Sequence, residues 1–255
     1  IYLGSQLCDN ELGFRFLSCI FSAGTDDFLW LCIDNSNKNQ YVLHFFLLVF
    51  SMTLMNAYGF LTLPDTPLLF FTAVFLWLYK EYLTKPSWLS AIGLGLTMAA
   101  VMYSKYHGVL VILFVVFSNI KLLKDVKAWT AVGIAFLCYT PHFYWLFEND
   151  FVSIRYHLYE RPNQPYSFTK FTLGYFVNLV AIFGLVFYWM YLALFKTKAT
   201  DTFSRALKVM RYGVLIFFFI SSFNRRVQTQ WIIIVTIPMV LIAYNYLLEH
   251  ATTRK

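Results

Sequence analysis

The chain has 255 residues, of which 59% are hydrophobic, 21% aromatic and only 13% charged, with a net charge of +7. A soluble domain is about a quarter charged, so this composition excludes a soluble globular enzyme and describes a polytopic membrane protein. The basic residues sit in short loops between apolar runs, which excludes nucleic acid as a partner and leaves the lipid bilayer as the surroundings.

Ile1–Leu12 is mixed and reads as a segment lying along the membrane surface. The chain starts without Met or signal peptide, so it is expected to be N-terminally incomplete. Phe14–Ile33 is a weak span interrupted by Asp26 and Asp27, which either line a polar path or mean that the span is drawn wrongly. Asp34–Gln40 is a polar loop, followed by a span over Tyr41–Phe60 and another over Thr66–Leu83. Between them lies Asp65, set between Pro64 and Pro67. Pro64 cannot continue the preceding helix and Pro67 suits the first turn of the next one. Asp65 either caps that helix or belongs to a site, since ionisable groups beside apolar spans are functional candidates.

Further spans are expected over Trp88–Tyr103, Val109–Leu123 (after the break SKYHG at 104–108), Ala128–Phe147 and Phe171–Phe195. The segment 148–170 is the longest polar stretch. Lys196–Arg211 reads as a basic, amphipathic connector, Tyr212–Phe223 as a short span with its flanks, and Trp231–Leu248 as the last span. A span needs roughly 20 apolar residues, and the chain therefore reads as an all-α transmembrane bundle of about nine spans in a single domain over 1–255. The four cysteines, Cys8, Cys19, Cys32 and Cys138, form no CxxC pair and give no metal or disulfide signal.

With these spans, 13 of the 20 Lys and Arg fall on one side, in linkers such as 121–127 and 196–211. The other side holds Arg15, Lys105, Arg155, Arg161, Lys170, Arg225 and Arg226. The positive-inside rule makes the first side cytoplasmic. The outer side then gathers Asp65, the Lys105–His107 break, the 148–170 segment and Asn224–Arg226. An acid with several cations at a membrane rim suits a phosphate-bearing lipid: Arg forks grip phosphate oxygens and Lys supplies a point charge. A carboxylate beside them suits general-base work on an acceptor hydroxyl or amine.

Each group has a plainer alternative. Lys105 and His107 are phosphate contacts or residues that reach the interface from a span end. Arg155, His157, Tyr159, Glu160 and Arg161 crowd into seven positions and form either part of the site or an amphipathic segment resting on headgroups. His157 with Glu160 suits a divalent metal, although two ligands on one turn are a weak signal. Arg225 and Arg226 bind phosphate, or face headgroups beside an interface anchor at Trp231.

The stretch LTLPDTPLLFFTAVFLWLY, followed by WLSAIGLGLTMAAVMYSKYHGVLVIL, resembles bacterial members of glycosyltransferase family 39. These are the dolichyl-phosphate-mannose protein mannosyltransferases and their relatives, including the lipid A aminoarabinose transferases. GSQLCDNELGFRFLSCIFS, with Glu11 and Arg15, RYHLYERP, and RRVQTQWIIIVTIPMVLIAYNYL resemble other parts of the same family. The resemblance implies a glycosyltransferase C fold in a bacterial inner membrane with its active site on the extracytoplasmic face. It implies a polyprenyl-phosphate sugar as donor, inversion at the anomeric centre, and transfer to an envelope acceptor (protein, lipid or glycan). The family's second outer acid falls on Asp65, and its lipid-phosphate contacts on Lys105, Arg161 and Arg226. Its first outer loop, with the key catalytic acid, is expected before Ile1. No cofactor is certain, and a divalent cation stays open. The alternative expectation is a transporter or flippase for a polyprenyl-linked sugar, which would use the same cations without transferring anything.

Arg161→Ala is expected to weaken binding of the lipid donor. Unchanged donor affinity in membranes containing that variant would remove Arg161 from the phosphate contacts.

Overall fold

The computed structural model describes residues 6, 10–33, 38–156 and 165–252, and all regular structure among them is helical. The main helices are α1 (Glu11–Leu31), α2 (Val42–Phe50), α3 (Thr53–Phe60), α4 (Asp65–Thr84), α5 (Trp88–Ser104), α6 (Val109–Ser118), α7 (Val126–Glu148), α8 (Gly174–Phe183), α9 (Phe187–Lys196), α10 (Thr202–Ser221) and α11 (Thr236–Thr252).

Where the sequence carries strong punctuation, helices start where it says. Pro64 precedes α4, and Ser87 accepts a hydrogen bond from Ser90 N and closes a capping box at the start of α5. Asp125 Oδ1 accepts from Lys127 N at 2.9 Å, which starts α7 two residues before the expected Ala128. Asp26 and Asp27 lie inside an uninterrupted α1, so the doubted span is one helix.

Three expectations are corrected. The run Tyr41–Phe60 is not one straight span: α2, with its leading turn, and α3 meet at 76°. The break is stabilised by Asn56, whose Nδ2 donates to the carbonyls of Val49 and Met52 at 2.9 and 2.8 Å. Val49 O already accepts from Met52 N at 3.1 Å and Met52 O from Asn56 N at 3.2 Å, so the amide adds a second donor to each oxygen and ties α3 back to the end of α2. The run Val109–Leu123 ends as an α-helix at Ser118 and tightens into a 3₁₀ turn over Ile120–Lys124. The connector Lys196–Arg211 is mostly helix: Asp201 and Ser204 form a capping box, and α10 runs from there through the expected short span. Arg211 is accordingly not a loop cation. It is 1% exposed, donates from Nη2 to the Leu194 carbonyl at 2.7 Å, and lies over the Tyr212 ring.

Among the described residues, Thr169–Lys196 and Thr229–His250 are long and apolar enough to cross a membrane, and the bent α2–α3 pair adds a third if read as one span. Trp88–Ser104 and Tyr106–Ser118 are shorter apolar helices. Length and composition alone therefore do not reach the expected nine.

The C-terminal helix is the centre of the bundle. Every residue from Trp231 to Tyr244 is buried, with α9, α10, α2, α1 and α4 packed around it. Tyr244 is fully buried and donates to the carbonyls of Lys38 and Tyr41. On one flank α1, α4, α5 and α7 pack in sequence, each against the next. α4 and α5 form a hairpin, so Asp65 and Lys105 return to one end while Lys80, Lys85 and Lys127 lie at the other. There Lys127 Nζ donates to the Pro86 carbonyl and the Tyr82 hydroxyl to Asp125. α5 and α7 approach closely at Gly95, where an added Cβ would lie 2.6 Å from the Ala131 carbonyl oxygen and 2.7 Å from Ile134 Cβ. Small residues permit such contacts between membrane helices.

Gly95→Ala should therefore push α5 and α7 apart at a cost of about 1–3 kcal/mol. Thermal unfolding of the detergent-purified protein checks this, and an unchanged Tm would mean that the two helices are not in contact there.

Candidate functional site

Asp65 is the first residue of α4, and its environment is built by the turn before it. Pro64 occupies the N-cap position without any side-chain capping bond. Thr66 Oγ1 donates back to the carbonyls of Tyr58 and Leu61 at 2.5 and 3.2 Å, fastening α4 to the end of α3. The capping reading of Asp65 is thereby overturned. Its side chain is 4% exposed and meets Lys105 Nζ at 2.6 Å.

Lys105 reaches it from the end of α5. The helix stops because Lys105 turns into an extended conformation, φ −166° and ψ 142°, and a 3₁₀ turn over Tyr106–Gly108 follows. Gly108 fits against the chain where a Cβ would lie 2.6 Å from the Val101 carbonyl oxygen. Lys105 Nζ also donates to the Gln230 carbonyl at 3.2 Å. With 18% of its side chain exposed, Lys105 points inward to a carboxylate and does not reach along the surface to headgroups. Asp65 lies just outside the apolar run that follows it. Burial pushes its carboxyl above the ordinary aspartate value, and the Lys105 ammonium and its hydrogen bond oppose that rise.

Lys105, but not Asp65, lines a cavity of about 440 Å³, together with Tyr106, His107, Tyr139, Phe143, Arg225 and Trp231, and with Met102, Val109, Leu146, Ser153 and Ile154. Its walls are apolar and aromatic, with cations at Lys105 and Arg225. The His107 ring packs on Trp231 and Phe218, at 5.3 and 5.4 Å between ring centres. Trp231 is 6% exposed, so it is a wall of this cavity and not an interface anchor.

Four of the expected outer residues thus come together: Asp65, Lys105, His107 and Arg225. Arg226 is exposed and outside the lining, and Arg155 is exposed while its neighbours Ser153 and Ile154 line the cavity. His157, Glu160 and Arg161 lie outside the described residues. Glu11 and Arg15 form an exposed pair at 3.9 Å, one turn apart on α1. No group of three or more His, Cys, Asp or Glu side chains suited to a metal ion occurs among the described residues. Sequence reasoning missed the Gln230 carbonyl, a backbone acceptor that leaves no mark in the sequence. It also missed His142, whose Nε2 lies 3.0 Å from the Tyr106 hydroxyl; its only sequence signal was a polar residue beside Pro141 near a span end.

A family model described as dolichyl-phosphate-mannose-protein mannosyltransferase matches residues 1–145, more than half of the chain. No curated protein and no solved structure matches it.

Removing one partner of a buried ion pair leaves the other charge uncompensated. Lys105→Met should cost about 3 kcal/mol near neutral pH, and Asp65→Asn in the same chain should restore part of it. Without Lys105 the Asp65 carboxyl titrates still higher in the folded state. The penalty is therefore absent below the ordinary carboxyl value of 3.8 and grows as pH rises above it. Unfolding curves of the two variants across pH check this, and a penalty equal at all pH values would rule out the pairing.

Proposed function

The chain belongs to the dolichyl-phosphate-mannose-protein mannosyltransferase family, and from that premise we propose that it moves a sugar from a polyprenyl-phosphate carrier to an envelope acceptor. The observation that carries this reading is the buried Asp65–Lys105 pair, whose Lys105 lines an apolar cavity that also receives Arg225. A lipid phosphate has an anionic head and a hydrocarbon tail. The cavity offers cations to the first and aromatic and aliphatic walls to the second.

In this reading an acceptor hydroxyl or amine attacks the anomeric carbon of the donor sugar. The new glycosidic bond forms as the bond from that carbon to the phosphate oxygen breaks. The electron pair leaves with the lipid phosphate, and the acceptor proton passes to a carboxylate base. A single displacement of this kind inverts the anomeric centre. Lys105 and Arg225 neutralise the charge that grows on the leaving phosphate, and Arg161 and Arg226 are assigned the same task. Asp65 holds the acceptor or the sugar at the reaction centre. An arriving phosphate competes with Asp65 for Lys105, so donor binding frees the carboxylate for its task. His107, from the cavity wall, and Arg155 and His157 serve in this proposal as further donor contacts, with a divalent cation at His157 and Glu160.

The wider frame is a glycosyltransferase C bundle of about nine spans in a bacterial inner membrane, with Asp65 and Lys105 on the extracytoplasmic side. The Lys-rich opposite end, with Lys80, Lys85, Lys121, Lys124 and Lys127, supports that orientation.

Asp65→Asn should abolish transfer, a loss of at least about 10²-fold for a misplaced reactant, and it should also lower stability by leaving the Lys105 ammonium unpaired, so activity is read per folded protein. In the wild type, the acid limb of the rate profile should lie above 3.8, because burial raises the Asp65 carboxyl. Both are checked with a radiolabelled polyprenyl-phosphate sugar in membranes holding the protein. Normal turnover by Asp65→Asn would sink the assignment. Labelled lipid crossing the bilayer without transfer by either form would indicate a transporter.

A further inference from the structure

Lys105 is delivered to Asp65 by a turn, not by a helix, and the turn is tethered from two sides. On one side Lys105 itself bonds Asp65 and the Gln230 carbonyl, and the His107 ring lies on Trp231 and Phe218. These partners belong to α4, α10 and the segment leading into α11. On the other side stands α7, where the Tyr106 hydroxyl meets His142 Nε2 at 3.0 Å.

The His142 ring is held in place by its own helix and by α5. It stacks on Trp145, with 5.7 Å between ring centres and 18° between planes, and contacts Tyr139 at 4.9 Å and Tyr103 at 5.8 Å. The Tyr103 hydroxyl donates to the Cys138 carbonyl at 3.0 Å, a second tie between the end of α5 and α7. Tyr106 and Tyr139 line the cavity and His142 does not. His142 reaches the site through these two tyrosines, and only Tyr106 belongs to the turn that carries Lys105.

We propose that His142 is a positioning residue for Lys105: by bonding Tyr106 from α7 it keeps the Ser104–Gly108 turn from shifting toward α4, and so sets where the Lys105 ammonium stands. Without this bond the turn keeps the Tyr103 tie to α7 and Lys105 stays in the carboxylate's neighbourhood, but its position is looser. The geometric part of this inference stands on the contacts alone. Its consequence for donor binding rests on Lys105 being a phosphate ligand, as proposed above.

The test reads the two parts separately in the full chain, purified in detergent. The first readout is acetylation of Lys105 by an amine-reactive reagent, followed by mass spectrometry with the exposed Lys121 and Lys124 as internal references. His142→Phe keeps the stacked ring and removes the Tyr106 partner. It should raise Lys105 labelling by about fivefold, the factor that one hydrogen bond of ordinary net worth represents. Tyr106→Phe removes the same bond from the other side and should give the same rise, which keeps the test decisive if His142→Phe folds poorly. The double variant should show no more than either single one, because both remove one interaction. His142→Gln supplies a side-chain partner for the Tyr106 hydroxyl and should return labelling toward wild type. The second readout is KM for the polyprenyl-phosphate donor, expected to rise by about the same factor in His142→Phe with a smaller change in kcat. Unchanged Lys105 labelling in both single variants, or effects that add in the double variant, would overturn the proposal. Raised labelling with unchanged donor KM would uphold the positioning role and overturn the assignment of Lys105 to the phosphate.

Discussion

The contact between Lys105 and Asp65 is the constraint that this end of the bundle is arranged around. It joins the first residue of α4 to the residue that ends α5, and through the Gln230 carbonyl it adds the approach to the central helix. Ion pairs in low-dielectric surroundings contribute little net stability, because desolvating both charges offsets most of their attraction. What such a pair does well is exclude other arrangements. A helix shifted by one turn would leave a bare carboxylate or a bare ammonium in an apolar wall, and either is far more costly than a poor hydrocarbon contact. The hairpin α4–α5 is thus fixed in register at its open end, as the Gly95 approach fixes its packing against α7 further along.

Much of this was legible in the residues. Proline, serine and aspartate mark helix starts by local chemistry, so α4, α5 and α7 begin within two residues of their expected positions. The alternation of charge along the chain also brought Asp65, Lys105, His107 and Arg225 to one end. Two of the failures share a cause. Hydropathy counts side-chain transfer and cannot see a backbone carbonyl finding a partner. The bend between α2 and α3 depends on Asn56 meeting two carbonyls, and Asn56 is a single polar residue in an apolar run. The same blindness hid the Gln230 carbonyl. The connector Lys196–Arg211 misled in another way: its lysines read as those of a loop between spans, but the capping pair Asp201 and Ser204 starts a helix there.

The burial of the C-terminal helix also shapes what the site can be. A helix surrounded by protein on every side does not face lipid, so Trp231 and its neighbours form a fixed wall. The facing wall, from α5 to α7, carries exposed aromatic residues such as Tyr103 and Trp145. One side of the cavity is therefore set by packing in the interior, while the other adjoins the protein's outer surface.

The bend between α2 and α3 has a consequence for the bilayer itself. α2 has nine residues and α3 eight, so at 1.5 Å per residue they extend about 14 and 12 Å. Hydrocarbon about 30 Å thick needs a longer apolar face than either provides. With the two helices at 76°, this flank presents two short apolar faces at an angle where a straight span would present one continuous face. Neither helix alone has the length to match such a hydrocarbon layer, so mismatch on this flank is set by the bend and not by the hydropathy of the run.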